Sequence, residues 1–262
     1  MGMDRIAGGV RSRGEFHMAR YTGDTPRIAH FDERPDFAYR KTSEVFRDFG
    51  SLGVSFDWPL SFKILRMNPL RLAVLISGGG STLTNLLDRI DAGEVLASVE
   101  LVLASRLCDG VGRSTARGHS CEVVSPKTYP SAAAFSEAIF DRCRAVRVDL
   151  VVLGGFLSRI EVPTDFEGRV MNIHPSLIPA FCGQGMYGHH VHEAVIARGC
   201  KVSGCTVHLV DNEYDHGPIL VQQVVPVLDG DDADALAKRV FAAECEAYPE
   251  AIRRYQSQLK HH

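Results

Sequence analysis

The sequence predicts an α/β chain built on a mostly parallel, doubly wound sheet with helices on both faces. Three observations predict it. Leu72–Ile76 and Leu150–Leu153 are short runs that are apolar throughout rather than alternating, as strands buried on both faces must be. These runs alternate with longer stretches of helical period. The first run also ends directly in Ser77-Gly78-Gly79-Gly80-Ser81-Thr82, a glycine turn of the kind that joins a strand to a helix.

The elements follow in order. A helix is expected from Ser81 to about Ala92, with Ser81 as its N-cap. Val99–Ala104 reads as the second strand, Val111 to Gly118 as a helix and Glu122–Ser125 as a short strand. Ala132 to Arg144 has helical period, and Leu150–Leu153 breaks at Gly154-Gly155. After Gly168 three more strands are expected, Arg169–Ile173, Gly204–Val210 and Ile219–Val227. A long helix over Asp234 to Tyr255 closes the chain. No internal repeat is visible.

The first 66 residues differ from the rest. Residues 1–66 mix Arg, Asp, Gly and Phe without sustained period, and Pro26, Pro35 and Pro59 interrupt any long element. They are expected to be an N-terminal extension, poorly ordered or read from an early start codon, before a domain over 67–262. The alternative is a docking segment anchored by Trp58 and Phe62.

Composition excludes several function classes. The formal charge of −3 carries no basic excess, so no nucleic-acid partner is expected. The apolar runs fall far short of the roughly 20 residues of a membrane span, so no membrane partner is expected either. Seven cysteines, an odd number with no CxxC, fit free thiols in a reducing cytoplasm. The expected partners are small-molecule substrates, handled by a monomer or homodimer.

Two constellations carry chemistry. In the glycine turn, bare backbone N–H groups, the helix dipole and the Ser81 and Thr82 hydroxyls favour an anion. The P-loop lysine is missing, so a single phosphate fits better than a triphosphate. The other reading is a plain tight turn. In Asn172-Ile173-His174-Pro175 a strand delivers Asn172 and His174 to one face. Asp215 follows in the loop Asp211 to Pro218, between two apolar strands. A neutral amide and an imidazolium can stabilise an oxyanion formed at an attacked carbonyl. A carboxylate would keep the imidazole charged and help move a proton. Taken singly, Asn172 and His174 read as a core pair and Asp215 as a turn former.

From Leu72 to about Tyr255 the chain resembles the phosphoribosylglycinamide formyltransferases, folate-dependent enzymes of purine synthesis. The matching pieces are LAVLISGGGSTL, VVLGGF, NIHPSLIP, SGCTVHLVDNEYDHGPIL and AAECEAYP. The resemblance implies a Rossmann-like formyltransferase fold and 10-formyltetrahydrofolate as co-substrate, without a metal. It implies transfer of its formyl group to glycinamide ribonucleotide. Asn172, His174 and Asp215 fall on the catalytic trio, with His208 beside it as support or as a core histidine. Gly80, Ser81 and Thr82 fall where the ribonucleotide phosphate is held, and Glu244 where its glycinamide end is met. Leu157, Asn172 and the loop Asp211, Asn212, Glu213, Tyr214 and Asp215 fall on the pterin.

Departures are visible. The turn lacks the Asn that the family often has among its glycines. An Arg that many members place near the folate tail is replaced by Ser131-Ala132-Ala133-Ala134. The folate segment carries Arg159 and one extra residue. The loop Phe181 to His192 is longer than usual, and its glycines suit a mobile lid. The alternatives are a formyltetrahydrofolate hydrolase, whose regulatory domain residues 1–66 do not resemble, and a methionyl-tRNA formyltransferase, which needs an RNA-binding domain. A metal-dependent hydrolase would use His189, His190 and His192, yet no HExxH or matched spacing occurs; a solvated His-rich loop at a helix start is expected there. A non-catalytic binding protein is the remaining alternative.

Overall fold

The computed structural model describes residues 68–259, together with a two-residue antiparallel ribbon pairing Ala19–Arg20 with Arg27–Ile28. The expected extension over 1–66, and the docking role of Trp58 and Phe62, otherwise lie outside the described residues.

The main unit is a seven-stranded sheet. Its strands are β1 (Leu70–Ile76), β2 (Ala97–Ala104), β3 (Cys121–Val123), β4 (Leu150–Leu153), β5 (Val170–His174), β6 (Val202–Leu209) and β7 (Ile219–Pro226). The helices are α1 (Ser81–Asp91), α2 (Asp109–Ala116), α3 (Ala132–Ala145), α4 (His189–Arg198) and α5 (Ala233–Gln258). The strand order is β3-β2-β1-β4-β5-β6-β7. β3 through β5 run parallel, and β6 and β7 complete the sheet antiparallel. The mostly parallel, doubly wound fold read from the sequence is therefore the observed one.

The apolar runs behave as buried strands should. Leu72, Val74 and Ile76 of β1 pack on one face with Leu83 and Leu86 of α1 and Tyr248 and Ile252 of α5. Ala73 and Leu75 point the other way, toward Phe135, Ile139 and Phe140 of α3. Each β1 residue in that run is essentially inaccessible, which is why the run shows no polar alternation.

The order of winding creates the site. From β1 the chain builds outward through β2 and β3, then returns to lay β4 on the other side of β1. The helices leave in opposite directions at this switch, so the carboxyl ends of β1 and β4 flank a crevice. Tyr248 supports it from below. Its buried hydroxyl lies 3.0 Å from the Leu153 carbonyl and 2.9 Å from the Met171 carbonyl, joining the ends of β4 and β5.

Element limits shift by a few residues from those expected, and two differences matter. Gly80, at φ 72, caps α1 and no side chain does, so Ser81 is the first helical residue rather than the cap. α4 begins at His189, so the last residues of the expected loop Phe181–His192 form a helical turn. Its hydrophobic period was hidden by three histidines in its first turn. Among the described residues no helix is long and apolar enough to cross a membrane, and all seven cysteines are unpaired.

Candidate active site

β5 sorts its side chains by alternation. Met171 and Ile173 pack toward α1 and α5, while Val170 faces the α3 side, and Asn172 and His174 share that second face. The antiparallel register sets Asn172 directly opposite His208 of β6. Asn172 Nδ2 donates to His208 Nε2 at 3.2 Å. His208 Nδ1 lies 3.0 Å from the Leu209 carbonyl, which can only accept. The proton therefore sits on Nδ1, and Nε2 is free to accept from Asn172. That bond fixes the Asn172 amide and leaves its second N–H unused. The structure thus joins His208 to Asn172 by a hydrogen bond.

Asp215 reaches this face because the loop after β6 doubles back. Gly217 permits the reversal, since a Cβ there would lie 2.0 Å from the Leu209 carbonyl oxygen. Asp215 itself has φ 52, a left-handed conformation that non-glycine residues seldom adopt. Its Oδ2 accepts from Gly183 N–H at 2.9 Å and lies 3.5 Å from His174 Nδ1. Its Oδ1 lies 3.7 Å from His208 Nε2. The three residues expected to meet do so, in a cleft of about 660 Å³.

The charge states differ from expectation. His174 is 3% exposed, and this burial pushes its pKa below the ordinary histidine value, overriding Asp215 and the Phe181 carbonyl. The charge on the ring that Asp215 was expected to keep is opposed here by desolvation of the imidazolium, which is the larger effect. Burial also pushes Asp215 upward, but the neighbouring His208 and His174 rings and the Gly183 N–H together hold it below the ordinary carboxylate range. The resting pair is a neutral imidazole beside a carboxylate. His174 Nε2 meanwhile lies 2.8 Å from the Phe181 carbonyl.

The glycine turn lies at the same end of the sheet. Gly80 is buried, and a Cβ there would come within 2.8 Å of Gly110 Cα; its smallness serves the packing of α1 against α2. Ser81 is exposed, and Thr82 lines the cleft. Two cations were not foreseen. Arg106 Nε donates to the Ser77 carbonyl at 2.7 Å, and Arg113 Nη1 lies 3.9 Å from where a Gly79 side chain would begin. Both bring positive charge to the glycine turn. Only the pairing of β2 with β1 brings them there, so no local spacing announced them.

Glu244 lies on the cleft wall with Ala237 and Phe241, one α5 stripe. The residue keeps partial exposure, yet burial of its carboxyl pushes the pKa up to about 7. Leu157 is 57% exposed, and its N–H donates to the buried Ser77 hydroxyl at 3.0 Å, which ties the segment to the end of β1. Of the loop residues, Glu213 and Tyr214 are exposed, and Tyr214 stacks under the Arg159 guanidinium 5.6 Å away. Asp211 holds His216 Nδ1 at 2.7 Å and accepts from Glu213 N–H. The Asn212 amide is spent on Val162, accepting from its N–H at 2.8 Å and donating to its carbonyl at 3.2 Å. Asn212 is thus a latch between two loops.

A smaller hollow of about 290 Å³, lined by Pro126, Ser131, Ala132, Phe135, Ser158 and Arg159, adjoins the cleft. Arg159 stands on the border of this hollow. The expected solvated histidine loop holds for His189 and His190 but not for His192, which is 5% exposed. Among the described residues no group of three or more His, Cys, Asp or Glu is arranged to hold a metal.

Comparison with known proteins gives the family of this chain. The formyl transferase family, described as "Formyl transferase", matches residues 70–252. The chain is 41% identical over 186 residues to a chloroplastic phosphoribosylglycinamide formyltransferase of Vigna unguiculata, covering 70% of this chain and 59% of that protein. It is 44% identical over 179 residues to the phosphoribosylglycinamide formyltransferase of Mycobacterium tuberculosis, covering 67% of this chain and 80% of that one. The crystal structure of glycinamide ribonucleotide transformylase 1 from Symbiobacterium toebii superposes with a TM-score of 0.69 at 37% identity, over 79% of this chain and 94% of that chain.

Proposed function

Because the chain belongs to the formyl transferase family, we propose that it moves the formyl group of 10-formyltetrahydrofolate to the amine of glycinamide ribonucleotide. The products are N-formylglycinamide ribonucleotide and tetrahydrofolate, in purine nucleotide synthesis. The observation that carries this reading is the meeting of Asn172, His174 and Asp215 in one cleft.

The reaction divides among these groups. The ribonucleotide amine attacks the formyl carbon, and negative charge develops on the formyl oxygen. The free N–H of Asn172, aimed by His208, stabilises that oxygen. Asp215, held ionised, accepts a hydrogen bond from the amine. His174 rests neutral and takes the proton that the amine loses. The bond from carbon to the folate N10 then breaks, and the proton ends on that nitrogen. Charge on His174 is thus needed only in passing.

With Nε2–H donating to the Phe181 carbonyl, the lone pair that takes this proton is on Nδ1, 3.5 Å from Asp215. Phe181 has φ 51, and Gly183, Gly185 and Gly188 also have positive φ.

The glycine turn, with the first N–H groups of α1 and the side chains of Arg106 and Arg113, suits the ribonucleotide phosphate. Glu244 suits the uncharged end of the same substrate. The exposed Leu157 and Tyr214 suit a flat pterin, and Arg159 a carboxylate of the folate tail. The free cysteines fit a reducing compartment such as the cytoplasm.

The test is the rate of tetrahydrofolate release from 10-formyltetrahydrofolate with and without glycinamide ribonucleotide. Release that depends on the ribonucleotide is expected. Equal release without it would mean hydrolysis and would overturn the reading.

A further inference from the structure

His192 is a buried titratable residue to which the proposed reaction gives no part. It lies in the first turn of α4 and is 5% exposed. Its Nδ1 is sealed from solvent without a hydrogen-bond partner. The neighbouring histidines differ. His189 lies within 3.8 Å of Glu193 and of Asp234, His190 within 3.3 Å of Glu193, and both are solvated. A solvated helix start accounts for those two and not for His192.

A buried polar nitrogen without a partner costs free energy, and each such case needs an explanation. Here the ring lines the cleft that holds His174, on the side lined by Ala237, Phe241 and Glu244. α4 packs against α5, which carries those three. Leu157 and Tyr214, proposed above for the folate ring, are carried by other segments, the one after β4 and the loop after β6. Burial pushes the His192 pKa down, and the neighbouring His189 and His174 rings push the same way. The ring is neutral and offers one N–H and one lone pair. Such a group suits a hydroxyl or an amide and not a phosphate dianion.

We infer that His192 is a substrate-binding residue that hydrogen-bonds the uncharged ribose–glycinamide portion of the ribonucleotide. This assignment rests on the proposed transfer reaction.

Two variants test it. His192→Phe keeps a ring and loses both nitrogens, while His192→Gln keeps a hydrogen-bonding amide. The KM for glycinamide ribonucleotide is expected to rise roughly tenfold in His192→Phe, as the loss of one buried hydrogen bond requires. In His192→Gln the rise should be clearly smaller. The KM for 10-formyltetrahydrofolate should move far less than that for the ribonucleotide. An unchanged ribonucleotide KM in folded His192→Phe, or equal rises for both substrates, would overturn the inference, the second by making the role structural.

Should His192→Phe fail to fold, the wild-type protein answers instead. The imidazole 15N resonances of His192, identified by their loss in His192→Gln, should move on adding the ribonucleotide and not on adding the folate. A ribonucleotide that binds without moving them removes this assignment and leaves the transfer reaction standing. A ribonucleotide that moves them without being formylated keeps the contact and removes the reaction. Failure of the ribonucleotide to bind removes both.

Discussion

The Nε2 of His174 lies 2.8 Å from the carbonyl oxygen of Phe181, so the ring's N–H is already committed. A carbonyl only accepts, which makes Nε2 the protonated nitrogen and leaves Nδ1 bare toward Asp215, 3.5 Å away. Two acceptors facing each other hold a place for a donor, and the substrate amine is one.

Replacing His174 by Gln keeps an amide near the Phe181 carbonyl and removes the group that relays the proton. The turnover rate should fall by at least about 10²-fold, with the circular dichroism spectrum unchanged. A variant that retains most of the wild-type rate would take His174 out of the reaction.

Asp215→Asn removes the negative charge that opposes desolvation of the His174 imidazolium. Two effects should appear together in a pH series of kcat/KM. The plateau should drop by about 10²-fold. The acid limb, which in the wild type lies below the ordinary histidine pKa of about 6.5, should move to lower pH, because Asp215 raises the His174 pKa. Movement of that limb to higher pH would reverse the assigned coupling.

Glu244 makes an opposite prediction for stability. Burial raises its pKa to about 7 in the folded protein, above that of the unfolded chain, so the folded state binds more protons between those values. Its contribution is favourable at low pH and is lost as pH rises through about 7. Glu244→Gln should therefore melt above the wild type at about pH 8 and lose that advantage by about pH 5. Its KM for the ribonucleotide should rise. Melting temperatures that differ equally at both pH values would contradict the buried carboxylate.

Tyr248→Phe leaves the Leu153 and Met171 carbonyls without their buried donor. Urea titration should show a loss of about 1–3 kcal/mol. The catalytic rate should fall as well, since Met171 precedes Asn172 on β5. A neutral substitution would mean that the two strands hold their spacing unaided.

Much of the fold was legible because buried parallel strands have a distinctive composition. Leu72–Ile76 has no polar residue to hide, and the structure buries all five side chains. Asn172 and His174 were legible for a similar reason, since the two-residue period of a strand puts them on one face before any partner is known. What lay hidden was set by the sheet and not by the chain. The Asn172–His208 bond needs the register of β5 with β6, and Arg106 meets the glycine turn only because β2 pairs with β1. His192 looked solvated because its neighbours His189 and His190 are; burial of one histidine in three is decided by the packing of α4. The downward push on the His174 pKa was not legible, because burial, unlike a carboxylate neighbour, leaves no mark in a sequence.

The central claim is that the formyl carbon passes directly to the ribonucleotide amine under the control of Asn172, His174 and Asp215. The most direct measurement follows a 13C-labelled formyl group from 10-formyltetrahydrofolate in the wild type and in Asp215→Asn. The account predicts label in N-formylglycinamide ribonucleotide for the wild type, and label remaining on folate in the variant over the same time. Label released as free formate by the wild type, or transferred equally well by the variant, would contradict it.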